Sequence, residues 1–396
     1  MSTEPTERDN PPQPSRLTDP KFRALVFQIL ATLTVAGIIY FIVTNTLNNM
    51  EARGISTGFG FLDNTAGFAV LQSLIEYDET HTYGRTFLVG LLNTLLVSAL
   101  GIFFATILGF LMGIARLSHN WLINRIAMAY IEIFRNIPLL LQIFFWYFAI
   151  AINLPGPRDA MSIGDIGFLS NRGLYLPAPI FEDGFGAVVV AFIAAVIAAV
   201  FMARWARRRQ EATGQLFPLY RSALALLVGV PAVVFLLAGT PLSWEIPELG
   251  GFNFQGGVSV IPELFALLLA LSVYTAAFIA ETVRSGIQAV SHGQTEAAHA
   301  LGLKHAWTLR LVIVPQAMRV IIPPLTSQYL NLMKNSSLAA AIGYPDLVAV
   351  FAGTTLNQTG QAVEIIAITM SVYLTISLVI SVFMNWYNAK MALRER

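Results

Sequence analysis

The sequence predicts an all-α polytopic membrane protein of about eight transmembrane helices, on three observations. Its 396 residues are 56% hydrophobic and 12% charged, too little polar surface to coat a soluble domain. Apolar runs of about 18 or more residues, the length a helix needs to cross hydrocarbon, recur along the chain. Basic residues gather in alternate connections between those runs. With no cysteine, disulfides, thiolate ligands and thiol nucleophiles are excluded. A net charge of +1 carries no information about nucleic acid, and no nucleic-acid partner is expected.

Residues 1–22, with Pro11, Pro12 and Pro14 among Ser, Thr, Asp and Glu, read as a disordered cytoplasmic tail that cannot bury a core. Residues 23–44 form an N-terminal anchor, with Ala24 to Val43 supplying one bilayer thickness. The following "TNTLNNMEARG" lacks a small-x-small cleavage site, so the anchor reads as uncleaved. Seven more spans are predicted near Phe87–Ala115, Phe134–Ile152, Phe185–Met202, Ser222–Ala238, Val260–Val283, Val312–Met333 and Val363–Trp386. The first of these seven, at about 43 Å for an ideal helix, must tilt or protrude.

Orientation comes from the connections. With the N-terminus inside, the inside segments hold Arg8, Arg16, Lys21 and Arg23; Arg116 and Arg125; Arg204, Arg207, Arg208, Arg209 and Arg221; Arg284, Lys304, Arg310 and Arg319; and Lys390, Arg394 and Arg396. The opposite side keeps Arg53, Arg85, Arg158, Arg172 and Lys334. Both termini are therefore expected in the cytoplasm. Trp386 and Tyr387 ahead of Lys390 read as an interfacial anchor, and Arg207–Arg209 as a topology signal before a contact with anionic lipid. The outer connections carry Glu76, Asp78, Glu79, Glu182, Asp183, Glu245 and Glu248 and are acidic.

One cytoplasmic stretch, "EAAHALGLKHAWTLRLVIVP" from Glu296 to Pro315, is polar and small at its start, between two membrane-length runs. Ser291 and Gln294 have capping-box spacing, Glu296 suits the first turn of a helix, and Gly302 can take the left-handed conformation that ends it. Leu303 is the apolar residue that packs back on such a cap. A second helical stretch with Trp307 and Leu311 leads to Pro315, and Pro323 and Pro324 are expected to interrupt the run that re-enters the membrane. This pattern alone fits an amphipathic interfacial connector equally well.

"EAAHALG" with "VIVP" ten residues after the glycine resembles the EAA loop of bacterial ABC importer permeases: Glu-Ala-Ala, three residues, Gly, nine residues, Ile-x-Leu-Pro. Val312 and Val314 replace Ile and Leu with residues of similar character. "NTLLVSALGIFFATILGFLMGIARLS" (Asn93 to Ser118), "YIEIFRNIPLLLQIFFWYF" (Tyr130 to Phe148), "AAFIAETVRSGIQAVSHGQTEAAHALGL" (Ala276 to Leu303) and "LMKNSSLAAAIGYPDLV" (Leu332 to Val348) are similar to the polar amino acid branch of that family. The resemblance covers Phe87–Ile152 and Val260–Trp386. It implies a permease domain over 86–390, a five-span core with an inserted pair at about 185–238, most like the general L-amino acid permease subunit of alphaproteobacterial type.

The resemblance further implies an inward transporter of polar L-amino acids in the bacterial inner membrane. Its implied partners are a homologous permease subunit, two ATPase subunits, a periplasmic amino acid binding protein and membrane lipids. Gly293, Glu296, Ala297, Ala298, Gly302 and Pro315 would form the loop coupled to the ATPase. The chain has no Gly-Lys dipeptide and hence no Walker A loop, so no cofactor is expected in it and ATP is expected on a partner.

Charges inside spans are costly and are the next candidates. Glu132 and Arg135, like Glu281 and Arg284, are three apart on one helix face; each pair is either a boundary ion pair or part of the translocation path. Lys334, Asn335, Ser336 and Ser337 interrupt an apolar run near the predicted outer end of the seventh span. Either a re-entrant backbone lining a cavity or a periplasmic turn fits. His292, His299 and His305 lack metal-ligand spacing and read as surface residues. A stand-alone secondary transporter or channel would need an internal repeat with matched broken helices, and a membrane enzyme would need a constellation of His, Asp, Ser or Cys; neither is found.

Overall fold

The structure is a computed structural model that describes residues 20–391, apart from 53, 55, 56 and 165. Residues 1–19 of the expected tail lie outside the described residues. The remaining three belong to the first helix, α1 (Pro20–Ala52), which starts ahead of the predicted anchor and exposes its apolar side chains all round except for Met50 near its end. After it, residues 57–82 form an irregular clasp that includes a 3-10 turn, Gly60–Asp63.

The next helix, α2 (Tyr83–Ala115), is about 50 Å long and is capped by Thr82, whose side chain accepts from the Arg85 N–H. The amphipathic α3 (Trp121–Asn136) is capped by Asn120, whose Oδ1 accepts from the N–H groups of Leu122 and Ile123. The predicted span Phe134–Ile152 is not one helix. The chain breaks at Ile137–Pro138 and bends 105° into α4 (Leu139–Phe144), which continues as a π-helical turn, Phe145–Ala151. Pro138 disfavours helical backbone at the residue before it, and Ile137 is extended. The buried Gln142 repairs the break by donating its Nε2 to the carbonyls of Phe134 and Ile137, both at 3.0 Å.

A layer the sequence did not announce follows: β1 (Met161–Ile163), β2 (Gly167–Ser170), β3 (Gly173–Leu176) and β4 (Ala178–Phe181). The hairpin α5 (Phe185–Thr213) and α6 (Leu219–Leu237) leaves this layer and returns to β5 (Leu242–Glu245), β6 (Glu248–Gly250), β7 (Asn253–Gln255) and β8 (Val258–Val260). The strands pair antiparallel in the order β1-β2-β3-β8, with β4-β5 and β6-β7 as separate ribbons. They form a small cap over one end of the helices. Each strand is three or four residues long among Gly and Pro, too short for alternation to show in sequence.

From the cap, α7 (Pro262–Gln288) crosses the molecule to α8 (His292–Ala300) and α9 (His305–Thr308). A π-helical turn, Leu309–Ile313, runs into α10 (Val314–Asn335). A 3-10 segment (Ser336–Ile342), a π-helical segment (Val348–Thr355), α11 (Leu356–Thr359) and α12 (Ala362–Met391) complete the chain. Among the described residues, seven helices are long and apolar enough to cross a membrane, eight when the bent pair counts as one span.

The core is the seam between α2 and α7. Gly101, Ala105, Gly109 and Gly113 are spaced by four on one face of α2, and Ala276, Ile279, Ala280 and Val283 of α7 lie against the inner part of that face. A Cβ on Gly109 would be 2.6 Å from the Ile279 Cβ, and one on Gly113 would be 2.7 Å from the Ala280 carbonyl oxygen. Small residues let two membrane helices approach this closely. Gly286 meets Ile321 in the same way and joins α7 to α10. Pro323 and Pro324 do not interrupt α10: both are exposed, while Ile321, Ile322 and Leu325 beside them are buried and hold the helix.

Candidate functional site

Three features are candidates, taken from the end of α7 remote from the cap. The first is the stretch from α8 to α10. In α8 only Ala298 is buried; Gly293, Glu296 and Ala297 are exposed. A nine-residue helix with one buried side chain protrudes rather than packs. Its C-terminus is closed by two bonds around Gly302 at φ +75°: Gly302 N–H to the His299 carbonyl at 2.9 Å, and Leu303 N–H to the Ala298 carbonyl at 3.1 Å. Such a Schellman closure needs a residue free of a Cβ at the left-handed position.

The capping box at its N-terminus does not form. Ser291 makes no side-chain cap, and Gln294 instead accepts from Gln316 Nε2 at 3.3 Å, tying α8 to the first turn of α10. His292 Nδ1 and Glu296 Oε1 lie 3.1 Å apart on the exposed surface. Pro315 sits in the first turn of α10, where a missing N–H costs least. Leu301 is 82% exposed and Trp307 51%, an apolar surface at the tip of this loop.

The second feature is the pair of predicted charge pairs. Glu281 and Arg284 form theirs, with Arg284 Nε donating to Glu281 Oε2 at 2.9 Å, and Arg284 also reaches Gln288. Glu132 and Arg135 do not. Arg135 stacks over Phe278 of α7 at 5.3 Å, and Asn136 Nδ2 bonds the Glu132 carbonyl. The break at Pro138 leaves Arg135 in the last turn of α3 against α7, so the aromatic face is the nearer partner. The α3–α7 contact is completed by Tyr130, whose hydroxyl donates to the Val273 carbonyl at 2.7 Å.

The third feature is the polar break at the end of α10: Lys334 lies in its last turn, and Leu332 beside it packs on Gly101, just past the middle of α2. Beyond it the chain is not a surface turn. The 3-10 segment runs through the core, with Ala339 and Ile342 among Val97, Leu139, Ile143, Leu267 and Leu271. Gly343, at φ +78°, turns it, and the next residues are clamped to α2. Asn93 Nδ2 donates to the carbonyls of Gln72 and Pro345, both at 2.9 Å, and Thr94 Oγ1 accepts from the Leu347 N–H at 3.0 Å. The buried Asp346 caps the π-helical segment, accepting from the Ala349 N–H at 2.8 Å. On the cap side of the molecule, outside the spans, hydrogen bonds from Thr80 hold the Asp78 carboxyl below the usual carboxylate range.

Of the four predicted polar residues, Lys334 is exposed, Asn335 and Ser337 are half-buried, and Ser336 is fully buried with its hydroxyl on the Met333 carbonyl. Ser337 bonds the Lys334 carbonyl. The ammonium of Lys334 has no acidic partner among the described residues. Sequence reasoning missed its neighbours: Ser327 and Asn331, four and three residues apart on the approach to Lys334, are exposed on the same face of α10, with Gln328 beside them half-buried. The exposed face of α12 is apolar instead, with Met370, Leu374, Leu378 and Val382.

A bundle of membrane-length helices around a polar-faced α10, with a closed helical loop projecting at one end, defines a membrane transport subunit. The chain belongs to the family of amino-acid ABC transporter permeases. Residues 214–393 match the family model described as binding-protein-dependent transport system inner membrane component. The chain is 60% identical over 378 residues to the putative amino-acid ABC transporter permease protein YhdX of Escherichia coli K12, covering 96% of both. It is 54% identical to the general L-amino acid transport system permease protein AapQ of Rhizobium johnstonii, over 96% of this chain and 95% of the other. Identity to the glutamate/glutamine/aspartate/asparagine transport system permease protein BztB of Rhodobacter capsulatus is 43%, over 96% of each. As a permease it is a transport component rather than an enzyme, with ATP hydrolysis in a separate subunit.

Proposed function

We propose that the chain imports polar L-amino acids across the bacterial inner membrane, as one half of a path completed by a homologous permease subunit. Two ATPase subunits bind and hydrolyse ATP, and a periplasmic binding protein delivers the amino acid to the cap side. Both termini and α8 face the cytoplasm. This orientation is supported by the basic residues Arg116, Arg125, Arg284, Lys304 and Arg310 at the α8 end. The broad substrate class is supported by the names of the relatives above. Residues 23–44 anchor the chain, and 86–390 form the permease domain, with 185–238 inserted.

The observation that carries this reading is the exposed α8. Gly293, Glu296 and Ala297 present a short closed helix to a groove in the ATPase, Ala298 roots it, and Gly302 and Pro315 fix its exit. Its attachment to α10 through Gln294 and Gln316, and to α7 through the chain, lets movement of the ATPase turn both helices as rigid bodies. The path runs along the polar face of α10. Lipid would penalise Ser327, Asn331 and Lys334 there by several kcal/mol, whereas water and substrate would not. Glu281, Arg284, Glu132 and Arg135 sit at its cytoplasmic mouth, and Asn335 and Ser337 at the break.

The native chain has no cysteine, so a single one reports cleanly. Glu296→Cys should cross-link to an ATPase subunit carrying a cysteine in its membrane-facing groove, and Phe252→Cys on the cap should not. Cross-linking from Phe252→Cys alone would reverse the orientation; none from either would remove the coupling role.

A further inference from the structure

We propose that the cytoplasmic end of α5 is a binding site for an anionic phospholipid, with the headgroup on Arg204, Arg207 and Arg208 and an acyl chain along the helix above them. The inserted hairpin is barely buried by the rest of the chain: α6 has no buried residue, and α5 buries Ala195 and Ala206. It is an outrigger in the lipid.

Four arginines end α5, and they are not equivalent. Arg204, Arg207 and Arg208, spaced by three and four, share one face, all exposed and without a hydrogen bond or ion pair among the described residues. Arg209 points elsewhere: it bonds Gln215 Oε1 at 3.0 Å and stacks on Trp205 at 5.3 Å, closing the turn into α6. Directly above the three free arginines, the same face carries Val190, Ile193, Ile197 and Phe201, each more than half exposed. Their run of twelve residues rises about 16 Å, close to one leaflet of hydrocarbon.

A requirement for positive charge on the cytoplasmic side explains how many arginines there are. It does not explain why three free ones stand in register with an apolar stripe of leaflet length while the fourth is occupied. Guanidinium groups bind phosphate in paired hydrogen bonds. An ATPase or free phosphate would use the arginines without the stripe; a phospholipid uses both. The cytoplasmic placement rests on the orientation proposed above, but lipid binding in a symmetric nanodisc does not, so the two can fail separately.

The test uses the full chain in nanodiscs of phosphatidylcholine with a minor fraction of phosphatidylglycerol, scoring the lipids retained by native mass spectrometry. The wild type should enrich phosphatidylglycerol. Arg204→Gln, Arg207→Gln and Arg208→Gln together, leaving Arg209 and Arg221 to set topology, should remove that enrichment, with about a fivefold loss per arginine. Phe201→Gln should weaken it without changing charge. Equal retention of both lipids by the wild type would overturn the proposal, as would enrichment surviving in the triple variant. Displacement by inorganic phosphate as effective as by lipid, or loss of ATPase copurification with lipid enrichment intact, would assign the arginines to those partners instead.

Discussion

Replacing Gly109 tests the seam that makes α2 and α7 one body. A Cβ there lies 2.6 Å from both Cβ and Cγ2 of Ile279 and 3.0 Å from the Ala276 carbonyl oxygen. Carbon atoms rest about 3.5–4.0 Å apart, so even alanine forces the helices apart by about 1 Å. The atoms in the way are a β-branched carbon and backbone, not the end of a flexible side chain. Ala276 and Ile279 are fully buried and cannot swing aside. Overpacking costs about 1–3 kcal/mol, and Gly109→Ala belongs at the upper end, ~3 kcal/mol, with Gly109→Val above it. A Cβ on Gly37 of α1 meets nothing within 4 Å, so Gly37→Ala is the matched control and should be neutral. In a thermal unfolding assay in detergent, Gly109→Ala should melt at least about 5 °C below wild type. Co-melting of Gly109→Ala with Gly37→Ala would refute the close-packed seam.

Lys334→Met should lower uptake of some amino acids more than others while leaving insertion intact, read by competitive uptake of glutamate, glutamine and arginine. Equal loss for every substrate would return Lys334 to a structural role. Neutralising Glu281 and Arg284 singly and together should give a coupling energy of about 0.2–0.5 kcal/mol in detergent stability, since the pair is partly exposed within one helix. Asn93→Leu should destabilise by about 1–3 kcal/mol per carbonyl left bare, because its amide satisfies Gln72 and Pro345 in the interior, with melting temperature as the check.

Much of this was legible in the sequence, for identifiable reasons. Spans are written in apolar length, which does not depend on tertiary contact. Gly302 was legible because a left-handed helix end selects glycine locally. The capping box was not, because Gln294 is drawn to Gln316, a partner twenty-two residues away in chain that only folding brings near. Residues Phe134–Ile152 read as one span because hydropathy ignores backbone direction, although Pro138 carried the signal for the break. Pro323 and Pro324 predict an interruption by their missing N–H groups, yet packing around Ile321 and Ile322 holds the helix through them. The spacing of Gly101, Ala105, Gly109 and Gly113 was in plain view and could have located the seam.

Movement passed by α8 between the ATPase and the membrane helices is read out by ATP hydrolysis in the reconstituted transporter, with and without binding protein and amino acid. Gly302→Val puts a branched side chain at φ +75°, where nothing crowds it but the backbone itself is strained, so the loop is displaced while every span is untouched. Glu296→Lys reverses the charge on the exposed face of the same helix. Both variants should assemble in the membrane, keep basal hydrolysis and lose the stimulation by loaded binding protein, along with uptake. Full stimulation and normal uptake in Gly302→Val would show that α8 does not carry the coupling.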